Sequence, residues 1–354
     1  MPPSPFSDSV KGILRWKSSN WSLCLGAGTT ISMLPSWREL SRRILEVGVG
    51  TYITDHAFDD LVTRTGWHFD AWIQTALNAW KANGGTDESF AHELENIVYS
   101  DLRLRAAAER LEVDLLHAFH DPGLLKKVRR VALVEFFEAQ YPQSSALQLA
   151  RLLAKLVNVG KGPAAILTFS YDTVLATLIR LAELQDSTAI RAFRTVTGPA
   201  PFNVQGKVPI YHLHGCLIPP LPEGTMMSRS DGRDSLVAPE ESYTQMAGSL
   251  FAWPQTTFLH YAQATNMALV GHSLSDPNLR RWLAWSAEVR ARESPTLRYH
   301  IWLRKRPTEA SEAALLKHSV KHLGVWIMWL ESWNDIEAAL RNLVGLSADE
   351  YDTA

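Results

Sequence analysis

Cysteine is scarce in this chain: two in 354 residues, Cys24 and Cys216. A structural zinc site takes four Cys or His ligands in closely spaced pairs. These two cysteines lie far apart, and neither has a Cys-x-x-Cys neighbour, so a zinc ribbon is excluded. They read as small buried hydrophobes rather than a disulfide, although both stand beside candidate site residues. Long apolar runs are missing too, so no membrane span is expected. Residues 1–20 lack the apolar core of a signal peptide, and the expected location is cytoplasmic. Charge of one sign is not in excess: 35 Lys and Arg against 37 Asp and Glu leave a formal net charge of -2. A broad nucleic-acid surface needs a basic excess or stripe, so direct nucleic-acid binding is not expected. Internal repeats and low-complexity tracts are absent.

Apolar residues are plentiful, at 46% of the chain, enough for a sizeable core. The length suits one large domain or two modest ones. Residues 21–25 read as a strand running into Gly26-Ala27-Gly28. A helix starts near Ser36, which has capping-box spacing to Glu39, and is expected to end at Gly48 and Gly50. From about Thr54 to Gly160 apolar residues recur at helical spacing: Trp72, Ala76 and Trp80, then Leu94, Ile97 and Val98, then Leu111, Leu115 and Phe119. Breakers fall at residues 83–85, 121–123 and 141–142. Strand signals return at 164–168, 208–213, 267–270, 298–303 and 325–330, with helices between and after them. Asp276-Pro277 opens one of these, Asp as N-cap and Pro in the first turn. The thirteen tryptophans are expected in the core, with some at a subunit interface. The expected fold is therefore α/β: a Rossmann-like parallel sheet with helices on both faces, made of residues 1–53 and 161–354, with an all-helical insertion at 54–160.

Four short segments stand at ends of apolar runs: 25–30 (LGAGTT), 167–172 (LTFSYD), 212–215 (HLHG) and 270–277 (VGHSLSDP). In open α/β sheets ligands bind at the strands' C-terminal edge. Gly26-Ala27-Gly28 either leaves free amides for a phosphate or makes a tight strand-to-helix turn; the full G-x-G-x-x-G pattern is lacking. His212-Leu213-His214 alternates on a strand, which puts both imidazoles on one face. His214, ahead of a glycine that opens space, suits a general base, and His212 suits a packed structural role. A metal pair finds no third ligand nearby. Asp172 and Asp276 read as helix N-caps or as groups that orient a ligand. Capping does not explain why Gly271 and Ser273 lie at the same place.

Taken in order, these segments resemble the sirtuin-like domains of bacterial anti-phage defence proteins, NAD-cleaving relatives of the sirtuin deacylases. Leu25-Gly26-Ala27-Gly28 followed by Leu34-Pro35-Ser36-Trp37 is similar to the family's glycine motif and its continuation. Residues 168–172 are similar to its Thr-x-Asn-Tyr-Asp motif, 213–215 to its catalytic His-Gly, and 271–276 to its Gly-x-Ser-x-x-Asp motif. Leu236-Val237 through Tyr243 is similar to its later strand and Tyr. Two departures stand out. The deacylases' zinc module has no counterpart, which speaks against protein deacylation. The family's Asn is Ser170 here, a shorter side chain with one donor instead of two.

The resemblance implies hydrolysis of NAD at the nicotinamide–ribose bond, with NAD as substrate and no metal. It implies that His214 activates water or a ribose hydroxyl, that Ser170 and Asp172 position ribose and water, and that Gly26, Ala27, Gly28 and Thr29 hold phosphate. Gly271, Ser273 and Asp276 are implied on the adenosine side, with Trp37 and Gly215 also contributing to binding. A defence effector that depletes NAD when triggered is the implied role. Expected partners are further copies of the chain or a second defence protein: an ATPase, an Argonaute-like protein or a nucleotide-sensing subunit. The alternative is a catalytically weak regulatory subunit that binds NAD or ADP-ribose.

Overall fold

The central strands form one sheet because their short apolar segments can be buried on both faces, as parallel strands require. In the computed structural model, which describes residues 16, 20–185, 192–199, 206–221, 236–249, 251–293 and 300–347, the strands are β1 (Trp21–Leu25), β2 (Ile166–Thr168), β3 (Phe193–Val196), β4 (Val208–His212), β5 (Asn266–Val270), β6 (His300–Lys305) and β7 (Val325–Leu330). Their order is β3-β4-β2-β1-β5-β6-β7. Every pairing is parallel, and the Rossmann-like α/β expectation holds.

The chain builds leftward from β1 through β2, β3 and β4, then returns to the other side of β1 as β5. That reversal makes a topological switch point between β1 and β5. Register aligns the strand ends. Leu25 pairs with both Thr168 and Val270, and Thr168 pairs with His212. The loops at 26–30, 169–173, 213–217 and 271–276 therefore leave from one row along one edge.

Thirteen α-helices among the described residues cover the sheet. On one face lie α1 (Trp37–Val49), α2 (Asp55–Thr65), α3 (Phe69–Ala82), α4 (Asp87–Ala108), α5 (Glu112–His120), α6 (Lys127–Gln140), α7 (Ser145–Asn158), α8 (Val174–Gln185) and, from the C-terminal part, α13 (Ile336–Leu343). Their apolar side chains share one core with Leu23, Leu25, Ile166, Ala268 and Val270. The other face carries α9 (Glu240–Gly248), α10 (Trp253–Ala264), α11 (Pro277–Glu293) and α12 (Ala310–Val320). There Phe258 and Trp282 pack on Cys24, Leu167, Met267 and Leu269. Alternate strand residues thus feed two cores. Residues 55–158 are helical throughout apart from their turns, and their core is continuous with the sheet.

Two local expectations are corrected, and one strand is added. Gly48 does not end α1: it lies buried within it, where a Cβ would sit 2.5 Å from Ala76 O of α3. The glycine lets two helices close up, and Gly50 alone is the left-handed cap at φ 67. Residues 236–243 hold no strand, since a coil at 236–238 leads into α9. Phe193–Val196 forms an edge strand with exposed central residues, a pattern too short and too polar to stand out in sequence. Segment 219–232, rich in Pro and Gly and so expected to be a loop, lies mostly outside the described residues.

Candidate functional site

Gly26 and Gly28 let the β1 loop touch the β5 loop. A Cβ on either would fall within 2.6 Å of Gly271 O. Gly271 itself is left-handed at φ 70, and a Cβ there would meet Thr29 N at 2.5 Å. Backbone bonds lock the pair: Gly26 N to Val270 O at 2.9 Å and Gly28 N to Gly271 O at 3.0 Å. Thr29 N donates to Gly26 O and Thr30 N to Ala27 O. Of the two readings of Gly26-Ala27-Gly28, these bonds support the tight turn. These glycines serve close loop-to-loop approach, and within 26–30 the exposed Ala27 carries the amide that no such bond uses.

Beneath this lock sits Asp172, buried at the end of β2. Thr30 Oγ1 donates to its Oδ2 at 2.9 Å, Ser170 Oγ donates to the same oxygen, and Val174 N donates to Oδ1 at 2.9 Å. Burial pushes the carboxyl above its ordinary value, and the donors from Ser170, Thr30 and Val174 oppose the rise. A small cavity lies here, bounded by Thr30, Thr168, Ser170, Asp172 and His212.

The two imidazoles do not share one setting, which corrects the alternation reading. β4 ends at His212, and Gly215 turns the chain at φ 82, with its N–H on His212 O at 3.2 Å. Period-two alternation holds only while a strand lasts. His212 lines the Asp172 cavity, and burial lowers its pKa to about 4, opposed by a backbone hydrogen bond at Ser170. His214 instead enters an aromatic box. Phe169 meets it edge-on at 4.8 Å and Tyr243 at 5.3 Å. Its Nδ1 is 3.4 Å from Tyr243 Oη, and its Nε2 is 3.7 Å from Asp276 Oδ2. Tyr171 uses its proton on Val237 O at 2.6 Å, so the one Tyr243 proton goes to Tyr171 Oη at 3.4 Å and Tyr243 Oη accepts from His214 Nδ1–H, which leaves the Nε2 lone pair free. Burial holds His214 neutral, with a pKa lowered to about 3.

Asp276 acts as cap and as site group at once. Its Oδ1 accepts from Asn278 N at 2.8 Å, which leaves Oδ2 for His214. Burial raises its carboxyl, opposed by the Asn278 and Leu279 amides and by Arg281. The loop before it is strained: Leu274 is left-handed at φ 56 without being glycine, a conformation that gathers at functional sites. Arg280 Nη1 holds Leu274 O at 3.2 Å. Ser273 is exposed, with Oγ 2.6 Å from Ser275 Oγ. Trp37 stands behind the site with its ring 5.4 Å from that of Tyr171. Cys24 and Cys216 are free and buried, and burial raises both thiols. Among the described residues no group of three His, Cys, Asp or Glu could hold a metal ion, and no helix is long and apolar enough to cross a membrane.

The structure thus brings Ser170 to Asp172, His214 to Asp276, and Gly26 and Gly28 to Gly271. The small cavity at Asp172 is lined by His212 and not by His214. Thr30, Phe169 and Leu274 carry parts of the site that residue type alone does not mark. Thr30 is legible only as the position after the glycine turn.

Residues 164–323 match the family model described as SIR2-like domain. The chain carries a SIR2-like domain. The matched span holds β2 through β6 and three of the four site loops. β1 lies outside the matched span and sits between β2 and β5 in the same sheet. SIR2-like domains bind NAD, and a crevice beside a β1/β5 switch point is where a dinucleotide fits such a sheet. No curated protein sequence matches the chain.

Proposed function

We propose that this chain hydrolyses NAD at the nicotinamide–ribose bond, releasing nicotinamide and ADP-ribose. The observation that carries the reading is the placement of the buried His214 Nε2 3.7 Å from Asp276 Oδ2, on the same sheet edge as a buried carboxylate tethered by Thr30 and Ser170. Cleavage of such a bond passes through an oxocarbenium-like state. The C1′–N bond breaks with its electron pair on nicotinamide, which leaves neutral and needs no proton. Water forms the new C1′–O bond and gives its proton to His214. That imidazole is neutral at physiological pH, so it can accept the proton, and Asp276 stabilises the imidazolium that results. Asp172 lies in a low-dielectric place suited to opposing positive charge on ribose. Ala27 N–H at the rim is the amide left to meet phosphate.

The motif resemblance extends the reading to an anti-phage effector that depletes NAD when a further copy or a second defence protein triggers it. The experiment is nicotinamide release from NAD by purified protein, alone and in lysate from phage-infected cells. Release in either condition supports hydrolysis, and release only with infected lysate adds the trigger. A second reading, an NAD- or ADP-ribose-binding regulatory subunit, is favoured by Ser170, whose hydroxyl is already bonded to Asp172. Ligand binding without nicotinamide release in both conditions selects it, as does a large gain of turnover in Ser170→Asn.

A further inference from the structure

The loops that carry Asp172 and His214 leave different strands, yet they are tied to each other by a residue from the helical layer. Tyr99 lies on α4, the longest helix, on the stripe Ala91, Glu95, Tyr99, Leu102 and Ala106 that faces inward. Its ring is fully buried, 4.8 Å from that of Phe119 on α5. Its hydroxyl donates to Leu217 O at 2.8 Å and accepts from Thr173 N at 3.0 Å, with Thr173 Oγ1 at 3.3 Å. Leu217 N in turn donates to Tyr171 O at 2.7 Å. The segments 171–173 and 215–217 are thereby closed into one hydrogen-bonded unit whose third member is the Tyr99 hydroxyl.

We propose that Tyr99 is a positioning residue for the site, and that through it the helical layer sets the geometry of Asp172 relative to His214. The proposal rests on the hydrolase reading for its kinetic consequence, but not for its structural one. Thr173 follows Asp172 directly, and Leu217 lies three residues after His214. A single hydroxyl used as donor to one loop and acceptor from the other fixes their spacing. No neighbouring group can replace both bonds, because a phenylalanine ring fills the same space with no polar atom. Electrostatics agree with the placement: Asp172 and Cys216 both raise the Tyr99 hydroxyl, behind the larger effect of burial. Other buried tyrosines of the helical layer do not share this role. Tyr141, at the end of α6, has a hydroxyl without a hydrogen-bond partner.

The test compares Tyr99→Phe with Tyr141→Phe, using two readouts. Deuterium uptake at residues 171–174 and 215–217 is expected to rise in Tyr99→Phe, with uptake across β1 and β5 unchanged and none of this in Tyr141→Phe. In nicotinamide release, kcat of Tyr99→Phe is expected to fall on the order of tenfold to a hundredfold, the scale of a small misplacement of reacting groups, with KM for NAD little changed. Unchanged uptake in these two loops overturns the clasp. Raised uptake with kcat and KM equal to those of Tyr141→Phe overturns the positioning role. A general rise in uptake over the whole sheet shows a merely structural residue and also overturns it. If the natural protein releases no nicotinamide, the hydrolase reading has failed by itself. The deuterium uptake then decides alone, and it must rise in the two loops, and only there, in Tyr99→Phe for the proposal to stand.

Discussion

Thr30 Oγ1 donates a 2.9 Å hydrogen bond to Asp172 Oδ2 across 142 residues of sequence. The bond joins the turn after β1 to the turn after β2. It places a buried carboxylate directly under the glycine lock between β1 and β5. Ser170 and Val174 N–H supply the other donors. Hydrogen bonds to the charged form favour it, against a burial that disfavours it.

Thr30→Val keeps the volume and removes that donor. The Asp172 carboxyl then moves further up, and the acid limb of kcat/KM against pH moves to higher pH. Turnover at neutral pH falls about tenfold or more, the worth of a hydrogen bond to a charged group. A pH profile of nicotinamide release checks this; an unmoved limb contradicts it.

Gly26→Ala forces a Cβ to within 2.5 Å of Gly271 O. Gly48→Ala meets Ala76 O at the same distance, far from the site. Both variants are expected to lose about 1–3 kcal/mol of stability in denaturant titrations, the usual cost of overpacking. Only Gly26→Ala is also expected to weaken NAD binding under conditions where the protein stays folded. Equal affinities in the two variants contradict the placement of the ligand at the β1/β5 crevice.

Acid is expected to destabilise the fold. Burial lowers His212 to about 4 and His214, His272 and His300 to about 3, from 6.5. Between 6.5 and these values the unfolded chain binds more protons, so stability rises with pH. The histidine contribution is fully present above 6.5 and is lost as pH falls toward 4. Asp172 and Asp276 act in the opposite sense, because their carboxyls are raised, and they offset part of the loss. Urea midpoints at several pH values between 7.5 and 4.5 are expected to fall with pH, and His300→Gln to flatten the slope. A midpoint that stays level in the natural protein contradicts this.

Much of this architecture could be read from the residues, and for a physical reason. A strand buried on both faces must be apolar, so 21–25, 164–168 and 267–270 stand out, and the polar residues at their ends mark the binding edge. The helices between 55 and 158 announce themselves by their stripe. What stayed hidden is pairwise. Gly26 looks like a phosphate glycine and Gly271 like part of the adenosine side until their contact is seen, after which most of the 26–30 loop's amides are spoken for. His212 and His214 look like neighbours on one face until the turn at Gly215 separates them. Tyr99 looks like one more core aromatic, because nothing local shows that its hydroxyl reaches Thr173 and Leu217, 74 and 118 residues away.

The central claim is that His214 is the base that drives release of nicotinamide from NAD. The most direct measurement is nicotinamide release by the natural protein and by His214→Ala, under whichever condition activates the protein, with NAD binding measured on both. The expected result is release by the natural protein, a loss on the order of 10²–10⁴-fold in His214→Ala, and NAD still bound by the variant. Release by His214→Ala at the natural rate contradicts the account.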